Sequence, residues 1–154
     1  MSDDPRRAAR DLAVSALARR EHSRRELERK LGDKGVEHDD MVAVLDDLAD
    51  AGLQKDGRYA EVFIRSRAAR GYGPRRIEQE LKQRGVEQSL VRSALESAEV
   101  DWEELACDAR RKKFRGQPVD AQARAKQMRF LEYRGFDAAQ IRQALRQAAS
   151  DEDF

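Results

Sequence analysis

The sequence holds a single cysteine, Cys107, so it has no internal disulfide and no multi-cysteine zinc site. A reducing compartment is the simpler expectation. There are three prolines and nine glycines, too few for the many tight turns of an all-β chain. Aromatic residues make up 6%, which leaves no material for a large aromatic core. No apolar run approaches the roughly 18 residues of a membrane-spanning helix. The opening Met1-Ser2-Asp3-Asp4-Pro5-Arg6-Arg7 has no apolar stretch behind its charges, unlike a signal peptide. A cytoplasmic protein without membrane contact is expected. Neither sign of charge dominates: 31 Lys and Arg stand against 30 Asp and Glu in 154 residues. A uniformly basic nucleic-acid binder is therefore not indicated, and local patches decide. What is abundant is charge itself, 40% of residues where a quarter is usual.

A repeat organises the chain. Leu31-Gly32-Asp33-Lys34-Gly35-Val36, Leu81-Lys82-Gln83-Arg84-Gly85-Val86 and Leu131-Glu132-Tyr133-Arg134-Gly135-Phe136 match at a constant offset of 50. Leu45, Leu95 and Leu145 follow in register, as do Met41, Val91 and Ile141. Each glycine suits the left-handed position just past a helix end, which only glycine adopts cheaply. The leucine four before it and the apolar residue one after it are the pair that touch in a Schellman cap. Helix starts are marked too. Ser23-Arg24-Arg25-Glu26 and Asp137-Ala138-Ala139-Gln140 are capping boxes. Pro74, after Gly73, stands at a first helical position, where its missing N–H costs nothing.

A further helix precedes each pair. One runs from about Arg7 to Arg20 with Leu12, Val14 and Leu17 apolar; the others start near Arg58 and near Trp102. Arg115-Gly116-Gln117-Pro118-Val119-Asp120 is an extra loop in the third unit. The expected fold is all-α: three tandem three-helix repeats, about nine helices, in an elongated, curved array. The boundaries fall at 1–53, 54–99 and 100–150, with an acidic tail at 151–154. Units this small bury little alone and share cores with their neighbours.

No catalytic constellation is present, so the chain reads as a non-enzyme without cofactor or metal. Gly71-Tyr72-Gly73-Pro74 lacks the lysine and the length of a phosphate loop and reads as a helix-capping turn. His22 and His38 lack metal-ligand spacing and read as solvated surface residues. Cys107 reads as a small core or half-buried residue. Glu103 and Glu104 read as first-turn acids favoured by the helix dipole.

Basic clusters are the stronger signal. Arg65, Arg67, Arg70, Arg75 and Arg76 surround Tyr72. Arg110, Arg111, Lys112, Lys113 and Arg115 form a second run, and Arg19, Arg20, Arg24 and Arg25 a third. Each lies near the junction of the first and second helices of its unit. A recurring basic edge suits a long polyanion or an acidic protein groove.

The run Asp56-Gly57-Arg58-Tyr59-Ala60-Glu61-Val62-Phe63-Ile64-Arg65-Ser66-Arg67, followed by Gly71-Tyr72-Gly73-Pro74-Arg75-Arg76-Ile77-Glu78-Gln79-Glu80-Leu81, strongly resembles the signature of the RecX regulatory proteins. Ser23-Arg24-Arg25-Glu26-Leu27, Arg111-Lys112-Lys113-Phe114 and Phe130-Leu131-x-x-Arg134-Gly135-Phe136 look like further family elements. The resemblance spans about residues 10 to 148. It implies a cytoplasmic modulator of RecA recombinase, acting in recombination control, DNA repair and the SOS response. Such proteins bind the RecA–DNA filament and suppress its ATPase, strand-exchange and coprotease activities. The expected partners are the filament and the single- or double-stranded DNA within it, and a monomer is expected. The candidate contacts are Arg65, Arg67, Arg70, Tyr72, Arg75, Arg76, Arg110, Arg111, Lys112, Lys113, Arg24 and Arg25. The alternative is a helical-repeat protein that binds DNA or RNA directly through the same edge.

Overall fold

The structure, a computed structural model, describes residues 4–152. These form helices and no strands: α1 (Asp4–Arg19), α2 (Arg24–Asp33), α3 (His38–Asp50), α4 (Asp56–Ala69), α5 (Pro74–Gln83), α6 (Gln88–Ser97), α7 (Trp102–Lys113), α8 (Ala121–Arg134) and α9 (Ala138–Glu152). The all-α reading and the three helix triplets stand. Among the described residues, no helix is long and apolar enough to cross a membrane.

The expected helix stops are present atom for atom. Gly35, Gly85 and Gly135 have φ of 80°, 83° and 99°. The Val36, Val86 and Phe136 amides donate to the carbonyls of Leu31, Leu81 and Leu131 at 3.0–3.1 Å. The glycine amides donate to Gly32, Lys82 and Glu132. That is the paired hydrogen-bond pattern of the Schellman cap. The capping boxes also form: Ser23 Oγ accepts from the Glu26 amide while the Ser23 amide donates to Glu26 Oε1. Asp137 and Gln140 exchange the same two bonds at 2.8–2.9 Å.

The chain divides into two compact units, Met1–Val62 with Leu81–Ala94, and Phe63–Glu80 with Leu95–Phe154. The division runs within α4, α5 and α6, so the central triplet contributes to both. The first unit is built on Ala9, Ala13, Ala16, Leu27, Leu31, Val44, Leu45 and Leu48. The buried stripe of α1 is alanine, while Leu12 and Val14 are about two-fifths exposed. Small side chains let the helix backbone approach its neighbours; Leu17 packs at the margin. The second unit is built on Ala106, Cys107, Ala109, Leu131, Phe136, Ile141, Ala144 and Leu145. Burying each Leu or Ile is worth about 1.5–3 kcal/mol.

Within each unit one helix start is seated on another helix's glycine cap. In the first, Ser23 Oγ, already capping α2, donates to the Arg84 carbonyl at the end of α5 at 2.8 Å. In the second, the Gly73 and Arg75 amides at the start of α5 donate to the Arg134 and Gly135 carbonyls at 2.7 and 2.9 Å. Orphan amides meet orphan carbonyls, and opposite helix-dipole ends face each other.

Candidate functional site

The turn from α1 to α2 carries the first basic cluster. Arg20 grips Glu26 with both terminal nitrogens, at 3.1 and 3.3 Å. Burial pushes the Glu26 carboxyl up, but Arg20, the Ser23 amide and Tyr59 outweigh it and hold it below the usual carboxylate value. The Tyr59 hydroxyl, buried and beside Glu26, is pushed up to about 12. Arg24 is half-buried and pairs with Asp46 at 2.9 Å and Glu28 at 3.5 Å. Arg25 is exposed and lines a shallow depression with Arg29, Lys30 and Arg84, tempered by Glu26 and Asp33.

His22 corrects the expectation of a solvated histidine: it is 2% exposed. Its Nδ1 donates to the Arg20 carbonyl at 3.0 Å, and Nε2 is buried with no hydrogen-bond partner among the described residues. Burial holds its pKa below the ordinary imidazole value. The ring caps the turn that the charged neighbours decorate, so its polar sequence context was misleading. His38 is exposed, as expected. Cys107 is buried, and burial raises its thiol pKa.

The second unit brings two of the expected clusters onto one surface. Arg70, at the end of α4, lines a depression with Lys112 and Lys113 from the end of α7. Leu105, Ala109, Phe130 and Arg134 line it as well. Arg134 Nη1 donates to the Arg70 carbonyl at 3.1 Å. Asp108 is the acidic residue of the lining. Arg65 and Arg75 are exposed.

The remaining candidates have partners inside the unit. Arg67 pairs with Glu80 at 3.0 Å and lies 4.3 Å from the Phe63 ring centre. Arg76 pairs with Glu80 at 3.5 Å and covers the half-buried Tyr72 ring at 4.2 Å. Arg111 pairs with Asp108 and with Glu104 at 3.0 Å, and the Asp108 bond raises its pKa. Arg110 is 3% exposed and donates to the Gly116 carbonyl at 2.9 Å. It faces the core and holds the loop between α7 and α8, apart from the surface formed by Lys112 and Lys113.

Sequence reasoning missed Phe130, Tyr133 and Arg134 as surface partners of these cations. The signal was present in the third repeat of the Leu-x-x-basic-Gly pattern. Among the described residues, no cluster of His, Cys, Asp and Glu has the makings of a metal site. The surface offers cations and aromatic faces for binding.

Three family models match in order along the chain: RecX, first three-helix domain, at residues 9–48; the second at 56–95; and the third at 99–145. The chain is similar to Regulatory protein RecX from Halorhodospira halophila, 50% identical over 147 residues, covering 95% of this chain and 90% of that protein. Regulatory protein RecX from Chromohalobacter salexigens is 48% identical, covering 90% of this chain and 91% of its own. The fold matches the crystal structure of RecX from Lactobacillus salivarius with a TM-score of 0.82 at 21% identity, covering 95% of this chain and 97% of that one. With all three domains matched in order and half of the aligned residues identical to a relative covered over nine-tenths of its length, this chain belongs to the RecX family of regulatory proteins.

Proposed function

We propose that this protein binds the RecA–DNA filament and restrains its ATP hydrolysis, strand exchange and coprotease activity, with no turnover of its own. The observation that carries this reading is its near end-to-end kinship with proteins named Regulatory protein RecX. The depression formed by Arg70, Lys112, Lys113 and Arg134 supports it with a surface suited to phosphate or carboxylate. Arg65 and Arg75 add exposed charge on α4 and α5, and Arg25 lines a second depression with Arg29, Lys30 and Arg84, beside Arg24, which Asp46 and Glu28 hold. The segments 1–53, 54–99 and 100–150 act in this reading as repeated contact modules. Several weak contacts along a filament strengthen one another through effective concentration. A cytoplasmic monomer suits this role.

The test is ATP hydrolysis by RecA on single-stranded DNA with substoichiometric amounts of this protein. Progressive loss of hydrolysis is expected. No effect on active RecA from a related source overturns the reading.

A second reading, direct binding to DNA or RNA, is favoured by the cations gathered around Arg70. It requires affinity for naked polynucleotide that falls steeply with salt. Tight filament binding with negligible affinity for naked strands excludes it.

A further inference from the structure

Aromatic residues are scarce in this chain, yet three of them alternate with cations in the second unit. Lys113 Nζ lies 5.9 Å from the Phe130 ring centre, and the Arg134 guanidinium 5.1 Å from the same ring. Arg134 is also 5.1 Å from Tyr72. Arg76 follows, 4.2 Å from Tyr72 and 5.2 Å from Tyr133. The series reads Lys113, Phe130, Arg134, Tyr72, Arg76, Tyr133. Contacts of this kind are worth about 0.5–1 kcal/mol each at exposed sites, so the ladder holds its members in fixed order.

The inner rings are half-buried and have a cation on either side. Tyr133 ends the series and is 74% exposed. A ring left this open does little for the core, so packing does not explain it. A flat π-face beside a row of cations is the composition of a single-strand site. There a base stacks on the ring while the neighbouring phosphates meet the charges. A carboxylate-rich protein surface would use the cations and leave the ring idle. A duplex hides the faces of its bases in its own stack.

We propose that Tyr133 is a stacking platform for an unpaired nucleobase of a single-stranded polynucleotide. Arg76 holds the ring, and Arg70, Lys112, Lys113 and Arg134 receive the adjoining phosphates. This goes beyond the filament reading and does not rest on it. The assay below contains no RecA, so either conclusion can fail while the other stands.

The experiment compares binding of labelled oligothymidylate and of an abasic strand of equal length, by fluorescence anisotropy. The oligothymidylate is expected to bind about ten-fold more tightly, within the range of one stacked base. Tyr133→Ala should erase that advantage and leave the abasic affinity unchanged. Tyr133→Phe should keep the advantage, and far-ultraviolet circular dichroism should match across all three proteins. Oligouridylate in parallel distinguishes DNA from RNA as the source of the strand, and preference for either supports the stacking. Equal affinity for the based and abasic strands overturns the proposal. So does an advantage that survives Tyr133→Ala. Tighter binding of oligoglutamate than of any strand assigns the surface to an acidic protein and overturns it as well.

Discussion

The Gly73 amide donates to the Arg134 carbonyl at 2.7 Å, and a methyl group on Gly73 would lie 2.5 Å from the carbonyl carbon and oxygen of Gly135. Two turns 61 residues apart in sequence thus meet backbone to backbone, with no room for a side chain. The first unit makes the equivalent junction with a side chain, Ser23 Oγ on the Arg84 carbonyl. Gly73→Ala should separate the start of α5 from the end of α8. Overpacking costs about 1–3 kcal/mol, and the displaced hydrogen bond adds about 1 kcal/mol. Chemical denaturation should show a loss of about 2–4 kcal/mol. A variant as stable as the parent would show that the junction is not under load.

The glycine caps give a sharper comparison. Gly35 and Gly85 share the same backbone conformation, with φ of 80° and 83°. Nothing lies within 4 Å of a methyl group built on Gly35, whereas one on Gly85 meets Arg25 Cβ at 2.7 Å and Nε at 2.9 Å. Gly35→Ala should therefore cost only the left-handed strain, about 1 kcal/mol. Gly85→Ala should cost the same strain plus displacement of Arg25, about 1–3 kcal/mol more. Melting temperatures of the two variants make the comparison. Equal losses would mean that Arg25 gives way freely.

These two examples show what is readable in one dimension. The caps were legible because a left-handed residue demands glycine and leaves the pattern Leu-x-x-x-Gly-apolar at each stop. The seating of one turn on another was not, since nothing local in Gly73 says that Arg134 is its partner. The repeat register held a hint: Ser23 and Gly73 are 50 residues apart, as are Arg84 and Arg134. The basic run at the end of α7 was legible as charge but not as direction. Helical spacing puts Arg110 and Lys113, four and seven residues after Ala106, on one face, yet Arg110 is buried there while Lys113, at the helix end, is exposed with Lys112. His22 was misread because Arg20, Glu21 and Arg24 around it are polar while its own ring fills the turn. The meeting of Arg70 with Lys112 and Lys113 depends on tertiary packing that no spacing encodes.

His22 makes stability depend on pH in a definable window. Nδ1–H is committed to the Arg20 carbonyl, so protonation places the new proton on buried Nε2, which has no acceptor among the described residues. Burial is the largest influence and opposes the charge; the bond to the Arg20 carbonyl and the Glu26 carboxylate favour it, the Arg20 and Lys30 charges oppose it, and the folded-state pKa lies below 6.5. The unfolded chain takes up the proton first. The stability of the neutral ring is complete above about pH 6.5 and is lost as pH falls from there toward the lower folded value. Glu26 acts in the same direction only below its ordinary 4.5, so the interval between isolates the histidine. Unfolding of the parent should become easier from pH 7 to pH 5, as read by urea midpoints. His22→Gln should flatten that slope. An unchanged slope would assign it to other groups.

Binding cations and structural ones lie on the same helix, α7, and substitution separates them. Arg70 and Lys112 are exposed and line the depression, so reversing their charge disturbs no buried contact. Arg70→Glu with Lys112→Glu should leave the melting temperature within the usual range of surface changes, about 0.5 kcal/mol. It should raise the amount of protein needed to inhibit RecA ATP hydrolysis about ten-fold or more, because two favourable charge contacts become repulsive. Arg110→Ala should do the opposite. It removes a buried guanidinium and its bond to Gly116, so stability should fall by about 2–4 kcal/mol. Inhibition at a temperature where the variant is folded should persist. Measuring both quantities on both variants distinguishes the cases: an inhibition defect in Arg110→Ala alone would move the contact surface from the depression to the loop between α7 and α8.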